Sequence, residues 1–193
     1  MSARRCAETG GQDESQLRVR RAAGLFAVVA TMGLAGAATA AQTPSPSLAV
    51  FEGRQIDLSQ GWGEAQACLV DRGAGIVECF RDRAGLLARE ADLDAAAAPA
   101  SVLASCSGPL RLFADSNYGG RELDFYDRGY WQNLSDWSFD NQLSSYKIGP
   151  CAAHLAENAN GGGSWYPGTT SAGHNEPVMQ SGWSDRVSSI YIQ

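Results

Sequence analysis

The region from residue 106 to residue 193 repeats itself at a period near 43 residues, and this repeat constrains the fold more than any other feature of the chain. The segment F-A-D-S-N-Y-G-G at 113–120 matches L-A-E-N-A-N-G-G at 155–162, an offset of 42 residues. The segment D-N-Q-L-S-S at 140–145 matches S-D-R-V-S-S at 184–189, an offset of 44 residues. Neither copy alone can bury an apolar face, so the repeat predicts two units of four short strands packed as a sandwich.

The composition favours short strands and tight turns over long helices. The 193 residues include 22 Gly, 5 Trp, 6 Tyr and 6 Phe, which is typical of an all-β chain. The formal net charge of −6 argues against a nucleic-acid partner, because such a partner requires a basic surface. The chain has only two histidines, His154 and His174, and no His and Cys cluster with zinc spacing. We therefore predict a protein without catalytic activity.

The first 40 residues read as a secretory signal peptide. A basic segment at 17–21 is followed by an apolar run at 22–37 and by the cleavage signal Ala38-Thr39-Ala40. The apolar run is shorter than the ~20 residues that a membrane-spanning helix needs. We expect a secreted, extracellular protein with no membrane span after the leader is removed.

The cysteines indicate two disulfides in the secreted chain. Removal of the leader leaves four of them, for which three connectivities exist. The pattern between Cys68 and Cys79 is that of a β-hairpin whose turn lies at 72–75, so the two cysteines face each other across the ladder. This favours the pair Cys68–Cys79 and leaves Cys106 to pair with Cys151.

The segment 41–105 is predicted to be a small α+β region that contains the first disulfide. Residues 48–58 and the Cys68–Cys79 hairpin have the composition of strands, whereas residues 83–98 have that of a helix, which Pro99 ends. The sequence thus divides into a leader at 1–40, this N-terminal region, and the repeat region at 106–193.

The repeat region resembles the βγ-crystallin family, in particular its microbial secreted members. The resemblance covers residues 110–193 and implies a sandwich of two Greek keys. In that family the aromatic-x4-aromatic-x-Gly segment is a folded hairpin whose glycine adopts a conformation that other residues avoid, a role expected here for Gly120 and Gly162. The second copy departs from the pattern, with Leu155 and Asn160 at the aromatic positions.

The resemblance also implies calcium binding, because the segment 140–145 looks like the calcium loop of the family. Ca²⁺ takes six to eight oxygen ligands, and the first loop supplies several oxygen-bearing side chains within a few residues. In the family each site also borrows groups from the hairpin of the other Greek key, where we expect Asp115 and Glu157 to contribute. The predicted metal ligands are Asp140, Asn141, Gln142, Ser144, Asp115, Glu157 and Ser188.

The second loop is the weaker calcium candidate. Ser184 replaces its first Asp or Asn, and Arg186 places a fixed positive charge where a ligand is wanted. One functional site is therefore expected rather than two. The alternative for both loops is a turn in which the polar side chains only cap backbone groups.

Three functions are compatible with these features. The leading hypothesis is a secreted, non-enzymatic, monomeric βγ-crystallin-like protein that binds Ca²⁺ for stability in a structural or stress role. The second is an inhibitor of an extracellular metalloprotease, which the resemblance suggests because one family of such inhibitors is similar in fold; the segments 161–177 and 126–131 are candidate inhibitory loops. The third is a module that binds a cell-wall component or glycan through exposed tryptophans, although we expect Trp137 and Trp183 to be core residues.

Overall fold

The computed structural model describes residues 47–97 and 106–193, so the leader predicted at 1–40 lies outside the described residues. The described residues form a mostly β structure with one α-helix, α1 (Arg83–Ala97). None of their helices is long and apolar enough to cross a bilayer. The strands are β1 (Leu48–Phe51), β2 (Arg54–Asp57), β3 (Ala67–Asp71), β4 (Ile76–Phe80), β5 (Leu110–Asp115), β6 (Gly119–Phe125), β7 (Trp131–Asn133), β8 (Ser145–Lys147), β9 (Ala153–Ala156), β10 (Asn175–Glu176) and β11 (Ser189–Ile192).

The strands form two sheets, and each repeat contributes one strand to the sheet that the other repeat mainly builds. Sheet I has the order β10-β8-β5-β6-β3-β4-β1-β2, and sheet II has the order β7-β11-β9. The first repeat supplies β5, β6 and β8 to sheet I and β7 to sheet II. The second repeat supplies β9 and β11 to sheet II and returns β10 to sheet I, while Trp165 forms a bridge with Ala156 beside β9. This is the predicted two-Greek-key sandwich, in which each repeat completes the sheet of the other.

The hairpins of the two repeats are related by an offset of 43 residues, not the 42 taken from the sequence. The Ser145 hydroxyl donates to the backbone carbonyl of Asp115 at 2.6 Å, and the Ser189 hydroxyl donates to that of Asn158, also at 2.6 Å. Asn158 is therefore the structural equivalent of Asp115, and the equivalence predicted for Glu157 is wrong. A shift of one residue moves a side chain to the other face of a strand.

The glycine with the unusual backbone conformation shifts by the same single residue. Gly120 has φ = +70° as predicted, but in the second repeat Gly163 has φ = +71° while Gly162 has φ = −76°. The one-residue difference arises at Leu155. Its apolar side chain resembles that of Phe113 in the sequence, but in the structure it lies in the inner core at the position equivalent to Leu112.

The N-terminal region continues sheet I. Strand β3 pairs in parallel with β6, placing Cys68 beside Leu123. Trp62 packs into the sandwich core, where its indole N–H donates to the backbone carbonyl of Trp137 at 2.6 Å and its ring lies 5.9 Å from that of Phe139. Residues from both regions thus bury their apolar side chains in one continuous core.

The predicted hairpin and both predicted disulfides are confirmed. Strands β3 and β4 are antiparallel with Cys68 opposite Cys79, and the two sulfurs are bonded. The second bond joins Cys106 to Cys151. The two bonds have different positions in the fold, because the first lies across one ladder and the second joins segments that precede β5 and β9.

Helix α1 covers the outer face of sheet I. Asp82 caps its N-terminus by accepting the backbone N–H of Gly85 at 2.9 Å, and Leu86 packs on the β3 side chains Ala67 and Leu69. Charged side chains also lie buried between the helix and the sheet. Arg111 on β5 is paired with Glu90 of the helix at 2.6 Å and with Asp124 of β6 at 3.1 Å.

Candidate metal site

The two predicted calcium loops pack against each other around an approximate twofold axis. The first loop is residues 140–145 and the second is residues 184–189. The backbone N–H of Asn141 donates to the backbone carbonyl of Val187 in the second loop at 3.1 Å. In return, the backbone N–H of Asp185 donates to the backbone carbonyl of Leu143 in the first loop at 2.9 Å. Asn141 and Asp185 have left-handed φ values of 53° and 58°, a conformation that Asn and Asp tolerate better than most residues. Each loop therefore holds the other in place.

Side chains cross between the loops in the same symmetric way. The Ser144 hydroxyl donates to Oδ1 of Asp185 at 3.2 Å, and the Ser188 hydroxyl donates to Oδ1 of Asn141 at 3.4 Å. We call the first pair site A and the second pair site B. Each site combines the serine of one loop with the Asp or Asn of the opposite loop, so the predicted ligands Asn141 and Ser144 are each bonded to the opposite loop.

Asp185 is the residue of site A that the sequence analysis missed. The signal was present, because the 44-residue offset between the loops places Asp185 at the position of Asn141. Its neighbours Ser184 and Arg186 obscured this signal, because they depart from the Asp and Asn pattern of the first loop. In the structure its carboxylate faces the first loop, so the weak second loop supplies the only formal negative charge in either pair.

The hairpin side of the first loop is occupied by hydrogen bonds. The Asp115 carbonyl accepts the Ser145 hydroxyl, whose oxygen also accepts the backbone N–H of Tyr118 at 3.0 Å. Gln142 accepts a hydrogen bond from the Arg121 guanidinium and donates to the backbone carbonyl of Ser138 at 3.1 Å. The Gln142 amide therefore orders the loop through contacts on both of its polar atoms.

An ion pair joins the second loop to the second hairpin. The Arg186 guanidinium donates to Oε1 of Glu157 through two nitrogens, at 3.0 and 2.8 Å, and Ser164 donates its backbone N–H to the same carboxylate at 3.2 Å. The hydrogen bond from Arg186 lowers the pKa of Glu157. The predicted ligand Glu157 is thus already neutralised by Arg186.

The remaining predicted ligand, Asp140, accepts a hydrogen bond from the Asn141 amide at 3.0 Å. Among the residues that the structure describes, no three His, Cys, Asp or Glu side chains converge on one point. A cation at these loops would therefore be held by a mixture of carboxylate, hydroxyl, amide and backbone oxygens. Such a mixture is a ligand set that Ca²⁺ accepts, because Ca²⁺ takes neutral oxygens in flexible geometry.

The other residues singled out in the sequence have structural roles. Trp137 and Trp183 are 1% and 8% exposed, which confirms them as core residues. His154 lies 2.9 Å from the Gln193 amide, and His174 lies 3.4 Å from Glu176. The segment 161–177 contains β10, which pairs with β8 in sheet I, so this segment is needed for the fold; its role as an inhibitory loop stays a prediction.

No protein-family model matches the chain, and no curated protein sequence matches it. Solved βγ-crystallin structures do match. A βγ-crystallin from Ciona intestinalis is 21% identical, and the match covers 45% of this chain and 100% of that chain with a TM-score of 0.38. A βγ-crystallin domain from Clostridium beijerinckii is 22% identical over 44% of this chain and 95% of that chain, with a TM-score of 0.37. A clostrillin double mutant in complex with nickel is 22% identical over 45% of this chain and 98% of that chain, with a TM-score of 0.38. These likenesses concern the fold alone.

Proposed function

We propose that this βγ-crystallin-like chain is a secreted, non-enzymatic protein whose sandwich is stabilised by calcium bound at site A. The contact between Ser144 and Asp185 carries the proposal, because it joins a hydroxyl from one repeat to a carboxylate from the other. A cation held there would connect the two Greek keys. Calcium would then stabilise the folded state over the unfolded chain, in which the two loops are separated.

Site A is favoured over site B on charge. Asp185 gives site A a formal negative charge, whereas Asn141 and Ser188 are both neutral. Arg186, which lies between Asp185 and Ser188 in the second loop, is neutralised by its ion pair with Glu157 and leaves this difference between the sites unchanged. Since Ca²⁺ affinity rises with the number of charged ligands, a site with one carboxylate falls at the weak end of the range, with micromolar to sub-millimolar affinity.

An extracellular location fits this proposal. The chain has two disulfides, which are typical of proteins in oxidising environments, and its N-terminal segment has the pattern of a secretory leader. Extracellular calcium would keep a site of this affinity largely filled. Its role would be structural, with the cation holding together a small domain outside the cell.

Calcium titration tests the proposal. We expect calorimetry of the purified protein to show one binding event, and we expect the melting temperature to rise with Ca²⁺ and to fall again with a chelator. At 100 times Kd the gain would be about 2.7 kcal/mol. Asp185→Asn and Ser144→Ala should each reduce the gain, because the first removes the negative charge of site A and the second removes its hydroxyl oxygen.

The matched control is Asp92→Asn, which removes the same charge from an exposed position on α1, away from the loops. It should leave the calcium response intact. A melting temperature that is indifferent to millimolar Ca²⁺, or an equal response in Asp185→Asn and Asp92→Asn, would contradict the proposal.

A further inference from the structure

The outer face of sheet II carries a row of three rings in register. Tyr191 on β11 lies directly opposite Trp131 on β7 and, on its other side, opposite His154 on β9. The Tyr191 ring centroid is 5.6 Å from that of Trp131 and 6.1 Å from that of His154. Cross-strand neighbours of this kind contact one another, so the three rings form one continuous surface.

Trp165 packs against two of these rings and forms a wall of a cleft with them. Its ring lies 5.4 Å from Trp131 and 4.8 Å from His154, and it is 51% exposed. Together with Gln193, the four rings line an open cleft of about 400 Å³. That volume is within the range of small-ligand sites.

The two tryptophans are fixed in orientation. The Trp165 indole N–H donates to the backbone carbonyl of Gly161 at 2.8 Å. The Trp131 ring packs directly against Gly161, where a Cβ atom would come within 2.2 Å of the ring. Rings that are held before a ligand arrives lose little conformational entropy when it binds. The cleft therefore has the features of a built site, whereas isolated exposed tryptophans rotate freely.

The repeat shows that this surface is not required by the fold. With the 43- and 44-residue offsets, His154, Trp165 and Tyr191 occupy the positions that Arg111, Glu122 and Lys147 occupy in sheet I. In sheet I these positions are charged, and Arg111 is paired with Glu90 on the helix that covers the sheet. Sheet II has rings at all three positions, and those rings reach solvent. The same framework thus carries two different surfaces.

We propose that this cleft binds a neutral sugar unit of an extracellular polysaccharide. None of the five lining side chains carries a fixed charge, which favours an uncharged ligand over an anionic one. The C–H faces of a pyranose ring pack on aromatic rings, and the Tyr191 hydroxyl, the Gln193 amide and the His154 imidazole can bond its hydroxyls at the edge. A flat, open cleft suits one unit of a long chain, since the polymer can continue past both ends.

The test uses cellohexaose and chitohexaose as neutral probes and a hexamer of galacturonic acid as a charged probe. We expect a neutral probe to change the tryptophan fluorescence of the purified protein saturably, and the charged probe to bind at least tenfold more weakly. Trp165→Ala should weaken binding at least tenfold, and Trp165→Phe should restore part of it. Tyr130→Ala is the matched control, because Tyr130 is 42% exposed but does not line the cleft. It should bind as the parent does.

Several results would overturn the proposal. Absence of binding by both neutral probes at about 1 mM, the range of weak affinity, is one. An equal loss of binding in Trp165→Ala and Tyr130→Ala is another. A dimer in sedimentation velocity that Trp165→Ala abolishes would assign the cleft to a second copy of the chain. Because the sugar site does not use the calcium loops, its failure would leave the calcium proposal standing.

Discussion

At the scale of single residues, sites A and B differ mainly in one carboxylate. The backbone and the serine are equivalent in the two sites, while Asp185 in site A corresponds to Asn141 in site B. The twofold arrangement thus provides an internal comparison, in which one side chain is charged in one site and neutral in the other.

This comparison predicts that Asn141→Asp creates or strengthens a second calcium site. The variant places a carboxylate opposite Ser188, as Asp185 is placed opposite Ser144. Calorimetry should show a second binding event or a tighter overall affinity, because Ca²⁺ affinity follows the charge of the ligands. Asn175→Asp is the control, since it adds the same charge at an exposed position of an edge strand that belongs to neither loop. If both variants bind calcium equally, the effect is one of net charge and the loop geometry is irrelevant.

The sequence predicted the loops better than it predicted the ligands within them. The pattern of Asp, Asn and Ser was sufficient to find both loops, because such residues favour left-handed turns and offer oxygens. It was not sufficient to show that Ser144 pairs with Asp185, since this pairing depends on how the two repeats dock. Glu157 was misplaced by one position because Leu155 is a core residue that resembles Phe113 only in being apolar.

At the scale of elements, the second hairpin depends on the absence of a side chain at Gly161. Gly161 has φ = +75°, and the Trp131 ring occupies the space where its Cβ would lie. In the first repeat the equivalent residue is Tyr118, whose ring packs edge-on at 5.5 Å against Phe113. The second hairpin has Ala156 and Gly161 at the positions of Phe113 and Tyr118, and Trp131 from the other repeat packs on Gly161 instead.

We predict that Gly161→Ala destabilises the protein more than Gly173→Ala. Both glycines have positive φ, which costs an alanine about 1–2 kcal/mol, but only Gly161 has a neighbour within 4 Å of the added Cβ. Displacement of Trp131 should add about 1–3 kcal/mol, the usual cost of overpacking. Urea unfolding of the two variants measures the difference. Equal destabilisation would show that Trp131 moves aside without cost.

Helix α1 depends on charges that are unfavourable to bury. Asp124 is fully buried beneath it, and burial, followed by the nearby Glu122 carboxylate, raises the pKa of Asp124 well above its usual range. Burial raises the pKa of Glu122 as well. A carboxyl whose pKa is raised on folding stabilises the folded state fully below its unfolded pKa of ~3.9, and this contribution is lost as the pH rises through the folded pKa.

We therefore predict that Asp124→Asn changes the pH dependence of stability. Relative to the parent, the variant should gain stability as the pH rises above about 4, because only the parent must ionise the buried Asp124 carboxyl. Chemical unfolding at several pH values measures the free energies. Asp92→Asn, on the exposed side of the same helix, should run parallel to the parent across the range. A constant offset between Asp124→Asn and the parent at all pH values would be evidence against this account.

The elements themselves were largely predictable, whereas their pairing across the sequence was not. The hairpin from Cys68 to Cys79 and helix α1 follow from local patterns, namely a turn between alternating residues and a run of helix-forming side chains. The parallel pairing of β3 with β6 has no local signal, because parallel strands are far apart in sequence and their register is set by the core. The sequence pattern therefore predicted 41–105 as a separate region, whereas its strands continue sheet I.

At the scale of the whole described structure, the two regions share one core and should unfold together. Trp62 from the N-terminal region is 3% exposed and contacts Trp137 and Phe139 of the sandwich. Strands β3 and β6 add backbone hydrogen bonds across the same junction. If either region unfolds, the other loses buried apolar contacts and strand hydrogen bonds at this junction. The two regions are therefore expected to unfold in a single transition.

We therefore predict that Trp62→Ala destabilises the sandwich as strongly as it destabilises its own region. Removal of a buried tryptophan costs about 3–5 kcal/mol and here also leaves the Trp137 carbonyl without its donor. Trp165→Ala is the matched control, because it removes the same side chain from a half-exposed position and should cost under about 1.5 kcal/mol. Unfolding followed by far-ultraviolet circular dichroism and by fluorescence of the sandwich tryptophans should coincide in the parent and in both variants. If Trp62→Ala instead produces two separate transitions, with the sandwich unfolding at its original midpoint, the regions are independent domains and the shared core does not couple them.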